Sequence, residues 1–415
     1  MSSHCNPNIV EDGLVFLYDV DDIQSYKGEP TENLFATTAM EFDNDAGTYT
    51  NDIATGTDSI GNYFIKDTAN APWWSGLRIY NNSVAPLTAG VSYVLSFECR
   101  SPQSGWSWSY DANASGGGWS GNDAGRASNT NLVFDKTGGI SYTSDMVNTW
   151  QRVAFRVTMK DSSVFTGSYA YPHDGFFTNT NNVKIYYRNA QLEVGKSHAT
   201  PFVNGTRSAT QGLLDRTGNS TIDISNASFD SNAQMTFDGT DDDIDVGTGT
   251  STSYQRTIEM VFKTNSLTSY TPLACYTRGG GQSVVSGKRM WLGFQNSKFQ
   301  MHGWGTTDPA STTTIQTGKY YHAVYAYDQT TKKHYIWING SLENNTTNNQ
   351  SGFTGWNSSG DHKWFVGGDP DHASWFASAG RSLNGEIPIF KVYDKILSNE
   401  EVLQNYKSIK SRFNL

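Results

Sequence analysis

The chain has 415 residues, of which 17 % are charged and 13 % aromatic, with 40 glycines and a formal net charge of −10. Its abundance of aromatic, Gly, Ser, Thr and Asn residues indicates short strands joined by polar turns, which excludes a helical solenoid, a coiled coil and a helical membrane protein. No run approaches the ~18 apolar residues of a spanning helix, so we expect no membrane insertion. The acidic charge argues against a phosphate-binding surface, so we expect no nucleic-acid partner.

The length, at about 150 residues per domain, predicts two or three domains. Three cysteines, Cys5, Cys99 and Cys275, are odd in number and far apart, which favours reduced thiols over a disulfide framework or a zinc site. The segment Met1–Asn6 lacks the basic and apolar regions of a signal peptide. We therefore expect a protein made in a cytoplasm.

The first half of the chain predicts four strands around one long polar loop. Gly13–Tyr18 is a short apolar run typical of a buried strand, whereas 91–99 and 151–159 alternate apolar and polar residues as half-buried strands do. A further strand is predicted at 183–193. Between them, 101–128 is dense in Gly, Ser and Trp, and loops of this length are usually binding loops or disordered segments.

The second half predicts more strands and one helix. The strand signals are 233–237, 244–246, 257–263, 320–327, 333–338 and 385–393. Asn339-Gly340 predicts a type I′ hairpin turn, and Pro388 predicts an edge or a bulge because proline donates no ladder bond. Ser398–Glu401 forms a capping box before residues at helical spacing. The chain is therefore predicted to be all-β with a short C-terminal helix.

Three segments of the second half resemble the laminin-G-like, or concanavalin A-like, jelly-roll family. Phe237–Ile244 is similar to its F-D-G-x-D-D-x-I entry to a core strand, and Tyr335–Gly340 to its Y-x-x-x-N-G hairpin. Gly385–Asp394, followed by Leu397–Val402, resembles its closing strand and short helix. The resemblance implies a two-sheet sandwich.

The beginning of the chain resembles the opening of the same family, but it is separated from its continuation. Gly13–Asp19 and Ser25–Gly28 match the opening, whereas the turn that normally follows, Asp215–Asn219, comes nearly two hundred residues later. We infer an insertion, which is easiest at an exposed turn. The prediction is two β-sandwich jelly rolls, one inserted into the other: 1–29 and 207–415 form the outer jelly roll, and 30–206 the inserted domain.

The inserted segment resembles the carbohydrate-binding-module jelly rolls of bacteriophage tail and fibre proteins. It opens with Asn33–Phe35, contains the strand Ser92–Phe97, and ends with Gln191–Gly195 and Ala199–Phe202, similar to the Q-L-E-x-G…A-T-P-F close of phage structural proteins. The resemblance implies a virion-surface protein, assembled in the host cytoplasm, as a tail fibre, head fibre or capsid decoration. Its implied partners are other virion proteins, host-surface glycans and further copies of itself.

Tryptophans in polar loops are the candidates for sugar contact, because sugar C–H faces stack on large aromatic rings. In the inserted domain the candidates are Trp73, Trp74, Trp106, Trp108 and Trp119. In the outer jelly roll the candidates are Trp304, Trp356 and Trp375, together with the polar residue Asp369. The alternative is that these rings anchor loops to the core or fill an oligomer interface.

The run Asp241, Asp242, Asp243 predicts a Ca²⁺ site, the one cofactor considered, because calcium takes several hard oxygen ligands. The alternative is a solvated turn entering a strand. We predict no catalytic residues and no enzyme activity, since the E-x-D-x-x-E array of the family's glucanases and the common hydrolase motifs are absent from the sequence. Three functions stay open: glycan adhesion, a purely structural decoration role, and polysaccharide depolymerisation.

Overall fold

A computed structural model describes residues 8–34, 40–41, 53–66, 78–79, 91–104, 106–110, 132–134, 140–144, 146–159, 177–178, 182–230, 234–247, 255–267, 270–277, 290–302, 308–347, 362–370 and 382–415. The chain forms two compact units. The inserted unit is Thr31–Arg207, and the outer unit combines Met1–Pro30 with Ser208–Leu415. The predicted all-β class is confirmed, with several antiparallel sheets and two helices among the described residues.

Strand β1 is Leu14–Asp19. In the inserted unit the described strands are β2 (Thr31–Glu32), β3 (Met40–Glu41), β4 (Ile53–Thr57), β5 (Asn62–Lys66), β6 (Arg78–Ile79), β7 (Ser92–Arg100), β8 (Trp106–Tyr110), β9 (Leu132–Phe134), β10 (Ile140–Ser144), β11 (Gln151–Met159), β12 (Phe177–Thr178), β13 (Lys184–Val194) and β14 (Thr206–Arg207). They are followed by α1 (Ala209–Gly212), β15 (Ser228–Phe229), β16 (Met235–Asp238), β17 (Ile244–Asp245), β18 (Gln255–Thr264), β19 (Thr271–Thr277), β20 (Met290–Gln295), β21 (Lys298–His302), β22 (Ala310–Thr314), β23 (Tyr320–Asp328), β24 (Lys333–Ile338), β25 (Ser341–Thr347), β26 (Lys363–Val366), β27 (Asn384–Tyr393) and α2 (Asn399–Phe413).

The outer unit has a large and a small antiparallel sheet. The large sheet runs β15-β16-β27-β18-β23-β24-β25, and β1 also pairs with β27; the small sheet runs β17-β26-β19-β20-β21-β22. The two sheets share one buried core, to which β18 contributes Met260 and Phe262 and β20 contributes Leu292 and Phe294. The rings of Phe262 and Phe294 lie 5.2 Å apart. The first described strand, β1, is hydrogen-bonded to the last, β27.

Two local predictions in the outer unit are confirmed. Asn339 and Gly340 both have positive φ, 49° and 77°, and connect β24 to β25 as a type I′ turn requires. Pro388 lies within the central strand β27, where the register against β18 shifts between Val261 and Lys263. The bulge, rather than an edge position, accommodates its missing N–H.

Helix α2 begins at the predicted capping box. The Ser398 side chain accepts a bond from the Glu401 N–H, and the Glu401 carboxylate accepts one from the Ser398 N–H. The helix packs Ile409 and Phe413 against Val261 on the outer face of the large sheet. The four-residue helix α1 was not predicted, and no described helix has the length and apolarity needed to cross a bilayer.

The inserted unit is built on one long sheet, ordered β4-β5-β13-β7-β11-β9. A three-stranded sheet, β10-β8-β12, and the pairs β2-β14 and β3-β6 accompany it. In β7, Tyr93, Phe97 and Cys99 share one buried face, as the period-two pattern predicts. Cys99 and Cys275 are buried thiols that form no disulfide with each other, whereas Cys5 lies outside the described residues.

Candidate functional site

Most of the tryptophans that the sequence singles out cannot be placed. Trp73, Trp74, Trp119, Trp304, Trp356 and Trp375 lie outside the described residues. Trp106 and Trp108 stand two positions apart on β8, which pairs with β10 on one side and β12 on the other. Their backbones therefore place them on one face of that sheet, but their side chains are not among those described.

The aspartate run of the outer unit folds into a braced turn between β16 and β17. Asp242 is buried, and its Oδ2 accepts a bond of 2.7 Å from the Asp238 N–H while its Oδ1 accepts one of 3.1 Å from the Ser228 hydroxyl. Carboxylate oxygens of Asp238, Asp241 and Asp242 lie within 4.8 Å of one another. Hard oxygens at this spacing suit Ca²⁺, so calcium stays a prediction for this turn.

Asp243, the next residue, is half-buried and lies near other acids. Burial, with the neighbouring charges of Asp245, Asp242 and Asp369, raises the pKa of Asp243 to about 6, although Asn226 donates a bond of 3.0 Å to its Oδ2. Asp369, a predicted glycan contact, is 4 % exposed. The structure thus brings Asp369 beside the aspartate turn and places it away from solvent.

A different surface, on the long sheet of the inserted unit, collects aromatic and charged side chains. We call it the polar face. It carries two adjacent rows across strands β13, β7 and β11. One row is Tyr186, Arg100 and Trp150, and the other is Arg188, Glu98 and Arg152.

The strand register generates these rows. Tyr186 pairs with Arg100, and Arg188 pairs with Glu98, which also pairs with Arg152. Trp150 directly precedes β11, so the same register brings it opposite Arg100. Directly opposed residues share one face of a sheet, so aromatic rings flank Arg100 on both neighbouring strands.

Glu98 organises the second row. Its Oε2 accepts a bond of 2.7 Å from Arg188 Nε and one of 3.2 Å from the amide of Asn189, while its Oε1 lies 3.9 Å from Arg152 Nη1. Asn189 has φ of 59° and sits in a bulge where the register shifts. The bulge re-aims the amide towards Glu98, as bulges beside functional sites often do.

Trp150, at the start of β11, and Arg188, on β13, are in contact although β7 lies between their strands. The Arg188 guanidinium carbon lies 3.9 Å from the centroid of the Trp150 ring, and the side chain of Arg188 is 48 % exposed. A guanidinium held over an indole ring and bonded to a carboxylate is pre-organised. The pair therefore holds the exposed Arg188 guanidinium in a defined position.

The other end of the polar face is closed by the chain itself. Ser96, Gln191 and Glu193 are fully buried there. Gln191 Oε1 accepts a bond of 2.8 Å from the Val203 N–H, and Glu193 Oε2 accepts one of 3.0 Å from the Thr200 N–H. The segment that leaves the unit thus covers this end of the face. At the other end Arg100 and Glu98 are half-buried, Arg188 is exposed, and Tyr186 is buried.

The aromatic row continues onto β5. Tyr63 pairs with Tyr186, their rings 5.8 Å apart, and Lys184 Nζ lies 3.6 Å from the centroid of the Tyr63 ring. Gly56 makes room for this ring, since a Cβ there would come 2.5 Å from the Tyr63 hydroxyl. Asp58 neutralises Lys184 at 2.5 Å. The row therefore spans four strands, about 14 Å at ordinary strand spacing.

The sequence patterns did not single out the residues of the polar face, because these residues lie on strands rather than in glycine-rich loops. One signal was present. In β7 and β11 the polar positions of the alternating pattern hold Glu98, Arg100 and Arg152 rather than Ser or Thr. Charged side chains recurring on the solvent face of paired strands, in a chain with few charges, could have directed attention to this sheet.

Comparison with known proteins bears on the outer unit. Residues 238–403 match the family model of the concanavalin A-like lectin/glucanases superfamily. This match, with the two observed sheets, supports the predicted concanavalin A-like jelly roll there. No curated protein matches the chain.

Several solved structures are similar to parts of the chain. One is the CBM40 of the Ruminococcus gnavus IT-sialidase bound to α2,3-sialyllactose, 19 % identical, with a TM-score of 0.30, covering 36 % of this chain and 81 % of that one. Another is domain 4 of the arabinanase AbnA of Geobacillus stearothermophilus with arabinotriose, 18 % identical, with a TM-score of 0.35, covering 48 % and 93 %. A third is the Trypanosoma rangeli sialidase with the inhibitor DANA, 14 % identical, with a TM-score of 0.36, covering 48 % and 31 %. Likenesses at this level do not assign a ligand.

Proposed function

We propose that this protein is a non-enzymatic virion component that binds glycans through the polar face of its inserted unit. One observation carries the proposal: the half-buried Trp150 and Arg100 lie side by side on neighbouring strands of one sheet face, with the buried Tyr186 on the other side of Arg100. Flat aromatic and guanidinium surfaces suit the apolar faces of sugar rings. The side chains of Glu98, Asn148 and Asn189 supply acceptors and donors for hydroxyl groups.

The virion role rests on the resemblance of the closing motif to phage structural proteins. Its side chains have a structural task here, because Gln191 and Glu193 tie the exit segment to the sheet through Val203 and Thr200. The motif therefore holds the exit segment of the inserted unit against its sheet. A module of this kind, displayed in many copies on a particle, turns weak glycan affinity into firm attachment.

The test is a glycan array probed with the purified full-length chain, alongside its native mass. Trp150→Ala is expected to lower apparent glycan affinity at least tenfold, because it removes the stacking surface and releases Arg188. Tyr270→Ala, which truncates a half-buried aromatic of the outer unit, serves as the matched control and is expected to bind like the unaltered protein. The double variant Trp106→Ala/Trp108→Ala asks whether β8 belongs to the same site.

Two outcomes would contradict the proposal. A stable oligomer that binds nothing on the array would favour a purely structural decoration role. A loss of polymer viscosity on incubation with surface polysaccharide would show depolymerase activity instead. We expect neither result.

A further inference from the structure

Arg100 carries a positive charge that no side chain among the described residues neutralises. Its one described side-chain hydrogen bond runs from Nη2 to the neutral Oδ1 of Asn148, at 3.3 Å. Its Nε is buried without a hydrogen-bond partner in the described part of the chain. The neighbouring arginines, in contrast, both face Glu98, at 2.7 Å for Arg188 and 3.9 Å for Arg152.

The charges of the polar face are mostly positive. The two rows of the polar face hold three arginines and one glutamate, within a chain of formal net charge −10. A guanidinium that is partly desolvated and paired only with a neutral amide attracts an anion strongly. We propose that Arg100 selects a glycan that bears a carboxylate, an inference that rests on the proposed function of the polar face.

Geometry favours a carboxylated saccharide over other anions. Arg100 lies beside the half-buried Trp150, so a sugar acid whose carboxylate binds Arg100 has an aromatic ring next to it for its apolar face. The guanidinium fork matches the two oxygens of a carboxylate. Glu98 projects from the same face two residues away, about 7 Å along the strand, and repels groups that carry more than one negative charge.

The test pairs each acid with its neutral counterpart. Titration calorimetry of the full-length chain would use oligogalacturonate, oligomannuronate and hyaluronan oligomers, each beside its carboxyl-reduced form, and a sulfated galactose oligomer. We expect at least one carboxylated oligomer to bind at least tenfold more tightly than its reduced form. Arg100→Gln is expected to abolish that preference, so that the acidic oligomer and its reduced form bind with equal affinity.

Two further variants sharpen the assignment. Lys196→Gln removes one positive charge elsewhere on the inserted unit and is expected to leave all affinities unchanged. Arg100→Lys keeps the charge but loses the fork, so an intermediate preference is expected. Thermal unfolding of each variant checks that the inserted unit is folded.

The outcomes separate the inference from the proposed function. Equal binding of acidic and reduced oligomers, or an Arg100→Gln variant that keeps the preference, would overturn the role of Arg100 and leave glycan binding standing. Tighter binding of the sulfated oligomer would overturn the selection of a carboxylate. No binding of any saccharide would overturn both.

Discussion

Asp242 shows how one side chain of the aspartate run shapes its turn. Both of its carboxylate oxygens are engaged, by the Asp238 N–H and the Ser228 hydroxyl. Burial raises the pKa of Asp242, although these hydrogen bonds act in the opposite direction. The residue therefore connects β15 to the turn that follows β16, whatever the turn binds.

Replacing Asp242 is expected to weaken the outer unit. Asp242→Ala leaves a backbone N–H and a hydroxyl without their acceptor, which costs about 1–3 kcal/mol of unfolding free energy. Asp241→Ala, at an exposed position in the same run, is the control and is expected to change stability by less than about 0.5 kcal/mol. Chemical denaturation measures both, and equal stabilities of the two variants would contradict the bracing role.

Calcium is tested at the same turn by a different variant. If Ca²⁺ binds the oxygens of Asp238, Asp241 and Asp242, adding it at millimolar concentration raises the unfolding temperature of the unaltered protein. Asp241→Asn is expected to diminish that rise, and EDTA to reverse it. An unfolding temperature that does not respond to calcium would leave the turn as a hydrogen-bonded brace alone.

Helix α2 is attached to the large sheet by buried polar groups as well as by apolar packing. Glu259, on β18, accepts bonds of 2.7 Å from Lys391 Nζ and 2.6 Å from the Asn405 amide, and its Oε1 lies 3.1 Å from His322 Nε2. Asn405 also accepts a bond of 2.7 Å from the Val10 N–H. The Glu259 carboxylate thus connects β18 with β23, β27 and helix α2, and Asn405 extends this network to Val10.

This carboxylate makes the outer unit sensitive to acid. Burial alone would raise the pKa of Glu259, but Lys391 and His322 outweigh it and lower the pKa to about 2. A pKa below the unfolded value of about 4.3 stabilises the fold above that pH, and the contribution is lost as pH falls towards 2. We expect the free energy of unfolding to decline over this window.

Glu259→Gln is expected to reduce that acid dependence. At neutral pH it lowers the free energy of unfolding by about 3–5 kcal/mol, because Lys391 is left buried without its carboxylate. Glu400→Gln, at an exposed position of helix α2, is the control and is expected to behave like the unaltered protein. Chemical denaturation between pH 2 and 7 measures the free energy of unfolding of each protein. If it declines with acid as steeply in Glu259→Gln as in the unaltered protein, Glu259 does not have this role.

The insertion is closed by its own ends. Thr31 on β2 pairs with Arg207 on β14, so the chain enters and leaves the inserted unit from adjacent positions. Glu193 accepts a bond of 2.6 Å from the Thr31 hydroxyl, and Arg207 donates one of 3.1 Å to the Thr200 hydroxyl. A unit whose ends are joined in this way can be removed with little strain on the remainder.

Each unit is therefore expected to fold alone. The segment 31–207 expressed by itself, and the outer unit with Pro30 joined to Ser208 through a short flexible linker, should each show a cooperative unfolding transition. A truncated outer unit lacking β1 is the control and is expected to unfold at lower temperature, since β1 pairs along β27 from Leu14 to Asp19. Failure of either unit to unfold cooperatively would show that it depends on the other.

Local signals determined much of the outer unit, because they depend on neighbours in the chain. The positive φ values that Asn339 and Gly340 tolerate, the capping box at Ser398 and the alternation of strand residues each act over a few residues. Pro388 likewise indicated a break in the ladder. Whether that break was an edge or a bulge required the register of β18 against β27.

The polar face and the buried carboxylate were decided by tertiary structure. Arg100 and Tyr186 are far apart in the chain and meet because β13 pairs with β7, and Glu259 finds Lys391 and Asn405 only once the sheet and the helix have assembled. By itself the sequence determined the fold class, the hairpin turn and the capped helix, since a short run of residues specifies each of them. Only the fold decided which charges are paired with one another, because neutralisation depends on groups that the strand register brings together from distant parts of the chain.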